Sequence, residues 1–203
     1  MNSSQKSMRA PAAGLDRREF VAALLKEVPE ALVVTGLGSA TYDVYAAGDR
    51  DANYYLWGAM GGSSSLALGL ALAQPTRSVV VITGDGEQLM GIGSLGTIGA
   101  KQPCNLTLVI LDNGHYGETG MQRSHASLGT DLVAVAKGFG IDHAYPVESM
   151  AGIESIAGDI RQRSGLTFVR VAIQPSEPPR ALPFRDGTYI KNRFRAALGF
   201  EPF

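Results

Sequence analysis

Residues 79–122 constrain the fold of this 203-residue chain more than any other stretch. They open with Val79-Val80-Val81-Ile82, and such a continuous apolar run predicts a strand that is buried on both faces. The run breaks abruptly at Gly84-Asp85-Gly86. A carboxylate at the end of a buried strand lies where open α/β sheets bind their ligands. The sequence therefore predicts a ligand site beside Asp85.

A second predicted strand ends in polar groups in the same way. Twenty-five residues follow the Gly-Asp-Gly turn, enough for one helix over residues 87–101 and a buried strand over residues 106–111, before Asp112-Asn113. If the two strands are adjacent and parallel, Asp85 and Asn113 reach the same edge of the sheet. Their oxygens are hard ligands of the kind that Mg²⁺ prefers, so we expect a diphosphate carried on Mg²⁺.

Strands and helices alternate along the chain, which predicts a three-layer α/β domain with a mostly parallel sheet over residues 15–173. Residues 1–14 are interpreted as a flexible lead. Four prolines after Gln174 predict an extended tail, residues 174–203, with a short basic helix over residues 188–198. The other predicted elements are a helix capped by Asp16, strands over residues 32–34, 143–147 and 166–173, and helices over residues 42–47, 63–73, 130–138 and 149–162.

Composition excludes several classes of function. A net charge of −1 gives the chain no general attraction for nucleic acid or anionic membranes. The single cysteine, Cys104, rules out an internal disulfide and a cysteine metal cluster, and it suits a reducing compartment. We therefore expect a cytoplasmic protein without nucleic-acid or membrane partners.

A competing fingerprint overlaps the central stretch. Residues 91–96 read G-x-G-x-x-G, and Asp112 follows the next strand, as in folds that bind nicotinamide dinucleotides. In those folds the first glycine ends a strand, whereas Gly91 lies about eight residues beyond Thr83, inside the predicted helix. We prefer the interpretation that these glycines thin a helix so that a neighbour can approach closely, as at a crowded subunit interface.

The two polar turns resemble a known cofactor signature. Gly84-Asp85-Gly86 followed by Asp112-Asn113 is similar to the motif of thiamine diphosphate enzymes, and the continuation to Gln122 resembles sulfopyruvate and phosphonopyruvate decarboxylases. The resemblance implies thiamine diphosphate and Mg²⁺ as cofactors. It implies that the metal is held by the side chains of Asp85 and Asn113 and the backbone carbonyl of His115. Asp112 stands where the wider superfamily more often has Asn, a departure that removes no ligand.

Two further glycine-rich loops extend the resemblance. The first follows residues 32–34 and touches the diphosphate or pyrimidine in the family, although a plain strand-to-helix turn explains it equally well. In the second, the resemblance implies that the Gly58 carbonyl receives the aminopyrimidine and that Met60 wedges beneath the thiazolium; Met60 as a core gap-filler stays open. The implied cofactor-binding residues are Gly36, Gly38, Ser39, Gly58, Met60, Gly84, Asp85, Gly86, Glu87, Asn113, His115, Tyr116 and Gly117.

Polar residues beyond the metal motif are candidate catalytic groups: His115, Glu118 and Gln122. An ordinary surface role remains open for each of them. Where the compared decarboxylases often have Pro-Thr, this chain has Arg123-Ser124-His125. A cation there suits a sulfonate, a phosphonate or a carboxylate equally, so the substrate stays undetermined.

The resemblance covers only half of a thiamine diphosphate site. In the family, the glutamate that hydrogen-bonds the pyrimidine N1′ comes from a different domain. The resemblance therefore implies the β subunit of a split decarboxylase of small 2-oxo acids, which forms a hetero-oligomer with a pyrimidine-binding α subunit. A carboligase of the acetolactate synthase type and a non-catalytic binding module remain as alternatives.

Overall fold

The structure, a computed structural model, describes residues 14–201, and the predicted lead lies outside them except for Gly14. Strands β1 to β8 are Leu32–Thr35, Asn53–Tyr55, Val79–Gly84, Leu106–Asp112, His115–Tyr116, Gln122–Arg123, Ala144–Val147 and Thr167–Ala172. Helices α1 to α8 are Arg17–Glu27, Ser39–Ala46, Ser63–Ala73, Asp85–Met90, Ser94–Lys101, Leu132–Gly138, Gly152–Gln162 and Gly187–Ala197, and a 3₁₀ turn spans Gly117–Thr119.

Six of the strands form one parallel sheet in the order β2-β1-β3-β4-β8-β7. Apolar clusters cover both of its faces. Along β3, Val80 and Ile82 pack in the cluster that contains α1 and α7, whereas Val79 and Val81 pack in the cluster that contains α3 and α5. Burial on both faces is the physical reason for the continuous apolar run. The predicted three-layer α/β fold with a mostly parallel sheet is confirmed.

Most predicted elements are present, with small differences at their ends. The Asp16 side chain caps α1 by accepting the backbone N–H of Glu19, and α3 has the predicted bounds. Helix α2 begins at Ser39, three residues earlier than predicted, whereas α7 begins three residues later, at Gly152. Within residues 14–201, none of the helices has the length and apolar character needed to cross a membrane.

The prediction of one helix over residues 87–101 is wrong, because α4 and α5 are separated by a break at residues 91–93. A Cβ on Gly91 would lie 2.0 Å from the carbonyl oxygen of Gly61, so these two backbone segments pack directly on each other. A Cβ on Gly99 would lie 1.9 Å from the carbonyl oxygen of Phe139. At both glycines the close neighbour is the backbone of this chain.

Three short strands have no counterpart in the sequence predictions. Strand β2 is three residues long and begins with a buried Asn53, so it carries no apolar alternation that would predict a strand. Strands β5 and β6 form an antiparallel hairpin around Gly120, whose φ of 112° favours glycine. This hairpin carries the chain back to the sheet edge at Ser124.

The segment after β8 has no regular secondary structure from residue 174 to residue 186, and α8 then lies close to the predicted basic helix. Trp57 Nε1 donates a hydrogen bond of 2.8 Å to the Phe184 carbonyl, and Arg193 forms an ion pair of 2.6 Å with Asp49. Phe194 is buried in the core. These contacts hold the segment against the surface of the α/β domain. The predicted division of the chain between residues 173 and 174 stays a prediction.

We expect Gly91→Ala to lower the free energy of unfolding by about 1–3 kcal/mol, because its methyl group must push two backbone segments apart. Gly93→Ala is the matched control, since residue 93 has helical φ of −62° and a Cβ there meets nothing within 4 Å. The control should be neutral or stabilising by up to about 1 kcal/mol. Urea unfolding monitored by circular dichroism measures both, and equal destabilisation by the two substitutions would contradict the packing of Gly91 on Gly61.

Candidate active site

A cleft with a volume of about 150 Å³ opens at the carboxyl edge of the sheet. Its wall comes from the segments that follow β1, β3 and β4. Because parallel strands end at one edge, side chains far apart in the sequence meet there. The predicted site residues that line the cleft are Ser39, Met60, Gly84, Asp85, Gly86, Glu87, Asn113, His115, Tyr116, Gly117 and Glu118.

Asp85 is the most buried acid of this cleft, with 1% of its surface exposed. The Ser124 hydroxyl donates a hydrogen bond to Asp85 Oδ2. Burial, and then the negative charge of Asp112, raises the pKa of Asp85 to about 7. A bound cation would offset both effects, so the environment of Asp85 suits a metal ligand.

Asp112 does not line the cleft and is held by partners beside it. Arg170 Nε donates to Asp112 Oδ2 at 2.6 Å, and the Gly114 N–H donates to Asp112 Oδ1 at 2.9 Å. Arg170 lies on the adjacent strand β8, opposite Ile110. The ion pair gives Asp112 a structural role that the more usual Asn could not fill, because Asn carries no charge.

Asn113 and His115 form a compact turn on the cleft wall. Asn113 Oδ1 accepts the His115 N–H at 2.9 Å, and His115 Nδ1 lies 2.7 Å from the Asn113 carbonyl oxygen. An amide oxygen has two lone pairs, so Asn113 Oδ1 keeps one that a cation could use. The imidazole of His115 is engaged with the Asn113 carbonyl, and the residue enters the predicted metal set through its own carbonyl alone.

Tyr116 explains why residue 86 is glycine. A Cβ on Gly86 would lie 2.6 Å from Tyr116 Cδ1, so the ring packs directly on the glycine. The Tyr116 hydroxyl lies 3.4 Å from His125 Nδ1. The ring therefore connects the turn after β3 with the hairpin that follows β4.

Glu118 lies at the rim of the cleft between two neutral donors and one cation. Its Oε1 accepts the Ser39 hydroxyl at 3.3 Å, its Oε2 accepts the Tyr42 hydroxyl at 3.5 Å, and Arg180 Nη2 lies 3.4 Å from Oε2. Burial, and then the Glu118 charge, raises the pKa of Tyr42. A Cβ on Gly38 would lie 2.9 Å from Glu118 Cγ, so Gly38 provides the space in which Glu118 lies.

Four predicted site residues do not line the cleft. Gly36 lies behind the carboxylate of Glu87, and Gly38 lies behind Glu118. Gly58 is exposed with φ of 76°, and Gln122 is exposed and hydrogen-bonds Thr119. The structure therefore does not bring Gln122 to the cleft, and the roles assigned to all four stay predictions.

The cleft also contains residues that the sequence analysis did not single out. Arg17 reaches it from α1 while its Nε pairs with Asp43 at 2.6 Å. No local motif marks Arg17, because its helix lies about 68 residues before the metal motif. The further lining residues are Leu37, Ala40, Met90, Leu111 and Thr119.

No group of three or more His, Cys, Asp or Glu side chains within residues 14–201 is arranged to hold a metal by itself. The predicted ligand set contains one carboxylate, from Asp85, with the Asn113 amide oxygen and one backbone carbonyl. Such a set leaves coordination positions for diphosphate oxygens and water, which is how Mg²⁺ is usually held. The residues present fit a cation that arrives with a diphosphate.

Fold and cleft together define a cofactor-binding domain of the α/β class, and the comparison with known families agrees. Residues 36–171 match the family described as the thiamine pyrophosphate enzyme C-terminal TPP binding domain. The chain therefore belongs to this family. Membership in this family argues against the dinucleotide-binding alternative, as does the position of Gly91 after a helix instead of at the end of a strand.

The similar proteins include subunits close to this chain in length and a relative more than twice as long as the matched region. The chain is 42% identical over 127 residues to the sulfopyruvate decarboxylase subunit beta of Methanocaldococcus jannaschii, covering 62% of this chain and 67% of that protein. It is 34% identical over 180 residues to the same subunit of Methanothermobacter thermautotrophicus, covering 89% and 94%. It is 37% identical over 185 residues to a phosphonopyruvate decarboxylase of Streptomyces viridochromogenes, covering 88% of this chain and 45% of the relative. The chain thus spans less than half of that longer relative.

A solved structure shows the same fold. A thiamine diphosphate-dependent 4-hydroxybenzoylformate decarboxylase of Rhodococcus jostii superposes with a TM-score of 0.68 at 22% sequence identity. The superposition covers 83% of this chain and 34% of that one. At this identity the likeness supports the fold and no finer conclusion.

The raised pKa of Asp85 predicts that ionisation of this carboxyl lowers the stability of the metal-free protein. The unfolded carboxyl ionises near pH 4 and the folded one near 7, so wild-type stability should fall between these pH values and stay lower above them. Asp85→Asn should therefore raise the free energy of unfolding by about 1–3 kcal/mol at pH 8 and change it little at pH 4.

Thermal unfolding in EDTA at both pH values measures the difference. Addition of Mg²⁺ with thiamine diphosphate at pH 8 should then stabilise the wild type more than the variant. The same pH dependence in both proteins would show that Asp85 is not the group responsible.

Proposed function

We propose that this chain is the thiamine diphosphate-binding subunit of a Mg²⁺-dependent 2-oxo acid decarboxylase of the sulfopyruvate or phosphonopyruvate type. The observation that carries the proposal is the buried Asp85 beside Asn113 in the cleft, in a chain that covers 94% of a relative named sulfopyruvate decarboxylase subunit beta. The reaction would release CO₂ and an aldehyde.

The residues of the cleft divide the work of holding the cofactors. Asp85, Asn113 and the His115 carbonyl would hold Mg²⁺, and the backbone of residues 84–86 would lie beside the diphosphate. Ser124 keeps the Asp85 carboxylate oriented through its hydrogen bond. Met60 would present an apolar surface to the thiazolium. When bound, thiamine diphosphate supplies the electron sink that accepts the electron pair left behind by CO₂.

Product formation requires a proton in place of the departing CO₂. Glu118 and His115 line the cleft and carry groups that can hold a proton. Glu118 is the better placed of the two, because the imidazole of His115 faces the Asn113 carbonyl. We assign Glu118 as the group that holds or delivers this proton at the rim of the cleft.

A partner completes the site in this proposal. Glu87 and Glu118 line the cleft, but Glu87 is hydrogen-bonded by the hydroxyls of Ser63 and Thr83, and Glu118 is already assigned to the proton that replaces CO₂. The carboxylate for the pyrimidine N1′ would come from an α subunit. The name of the beta-subunit relatives supports a hetero-oligomer. The cytoplasmic location that we propose rests separately on the single cysteine.

We expect this polypeptide alone to release no CO₂ from sulfopyruvate, phosphonopyruvate or pyruvate in the presence of thiamine diphosphate and Mg²⁺. Addition of its cognate α subunit should give turnover of at least one of the three. A product with a new carbon–carbon bond, in place of an aldehyde, would indicate a carboligase. Robust CO₂ release by the chain alone would overturn the split-subunit proposal.

Met60→Ala should slow hydrogen–deuterium exchange at C2 of the bound cofactor by about tenfold or more, while changing cofactor affinity less. The physical reason is the loss of the side chain that would hold the cofactor bent. Met90→Ala is the control, because Met90 lines the same cleft but is 58% exposed. The exchange rate is measured by NMR in the assembled enzyme. If exchange slows in Met90→Ala and not in Met60→Ala, the role belongs to Met90.

A further inference from the structure

Glu87 is a buried carboxylate whose hydrogen bonds all point into the protein. Only 4% of its surface is exposed. Its Oε2 accepts the Thr83 hydroxyl at 2.7 Å, and its Oε1 accepts the Ser63 hydroxyl at 3.2 Å. Backbone amides of Gly61 and Leu37 also hydrogen-bond this carboxylate. The sequence alone places Glu87 among the cofactor ligands, but these four donors occupy the carboxylate from within.

Gly36 shows how closely the first loop approaches Glu87. A Cβ on Gly36 would lie 1.7 Å from Glu87 Oε1 and 2.1 Å from its Cδ. Such distances are impossible for two non-bonded atoms, so residue 36 must be glycine while the carboxylate stays where it is. The glycine is thus explained by Glu87, without a cofactor.

The partners of Glu87 belong to three different segments at the carboxyl edge. Gly36 and Leu37 follow β1, Gly61 and Ser63 stand between β2 and the first turn of α3, and Thr83 is near the end of β3. Each segment carries residues to which we assign cofactor contacts. One buried side chain therefore contacts all three segments.

We propose that Glu87 is a positioning residue that fixes two cofactor-facing loops, residues 36–38 and 58–62, relative to each other and to the end of β3, instead of a direct ligand of the cofactor. The inference deepens the proposed function and rests on it only for what the loops bind. A carboxylate is required, because backbone amides can only donate and an amide side chain would turn one NH₂ group toward donors. The hydroxyls of Ser63 and Thr83 can reverse direction, but Gly61 and Leu37 cannot.

The first test needs no cofactor. In the full chain without ligand, Glu87→Gln should accelerate amide hydrogen exchange in the peptides that contain residues 36–38 and 58–62, by about tenfold. Gln88→Ala is the control, since Gln88 is the buried neighbour of Glu87 and its Oε1 accepts the Ser64 hydroxyl at 2.6 Å, from helix α3 and outside both loops. Equal acceleration everywhere in both variants would overturn the proposal, because the effect would then be general destabilisation.

The second test is a double-mutant cycle that does not depend on the stability of Glu87→Gln. Gly36→Ala should push the carboxylate away and weaken thiamine diphosphate binding to the assembled enzyme by about tenfold. Glu87→Asp shortens the side chain by one methylene, so adding it to Gly36→Ala should recover part of the affinity. Recovery supports positioning, whereas strictly additive losses indicate two independent cofactor contacts and overturn it.

The kinetic pattern separates this inference from the proposed function. Misplaced loops should lower kcat and raise KM together in Glu87→Gln, whereas loss of a simple binding contact would raise KM alone. Localised exchange without any decarboxylase activity in the wild-type complex would uphold the positioning role and reject the proposed reaction. Decarboxylase activity of the wild-type complex, with unchanged amide exchange in the loops of Glu87→Gln, would uphold the proposed reaction and reject the positioning role.

Discussion

The parallel pairing of β3 with β4 is the constraint on which the site depends. Gly84 lies opposite Leu111 in this pairing, and both strands are buried except at Gly84, which is partly exposed at the sheet edge. A slip of one residue would turn every side chain of a strand to the opposite face, so the register is strongly fixed. Asp85 and Asn113, the first residues beyond the two strands, therefore arrive together at one edge. The cleft follows from where the apolar runs stop.

Three carboxylates crowd this edge, and the protein treats each one differently. Asp112 has a full cation, Arg170, at 2.6 Å. Glu87 has four neutral donors, which come from three separate segments of the chain. Asp85 has the Ser124 hydroxyl and remains close enough to Asp112 for the repulsion to raise its pKa. Asp85 is therefore the acid of the three that a bound cation would stabilise most in its charged form. It also lines the cleft, where a cation bound to a diphosphate would lie.

The sequence predicts those parts of the fold and the site that depend on local signals. Buried strands, their polar ends and the cap at Asp16 are visible as runs and breaks, and they suffice to bring Asp85 and Asn113 together. The break between α4 and α5 is not visible, because it depends on contact between Gly91 and the distant Gly61. Ser124 and Arg170 escape prediction for the same reason. Each serves an acid far away in the sequence, and no spacing rule connects them.

The loop that carries Met60 is held at both ends, which bears on the proposed assembly with an α subunit. On one side Glu87 hydrogen-bonds the Gly61 amide. On the other, Trp57 Nε1 donates to the Phe184 carbonyl at 2.8 Å, and the Arg185 guanidinium lies 5.1 Å from the centre of the Trp57 ring. Gly58 itself, between these anchors, meets no atom on the side where a Cβ would project. A loop fixed at its flanks and open at its tip can present a preformed surface, so in the proposed split enzyme less ordering entropy would be lost when the α subunit binds there.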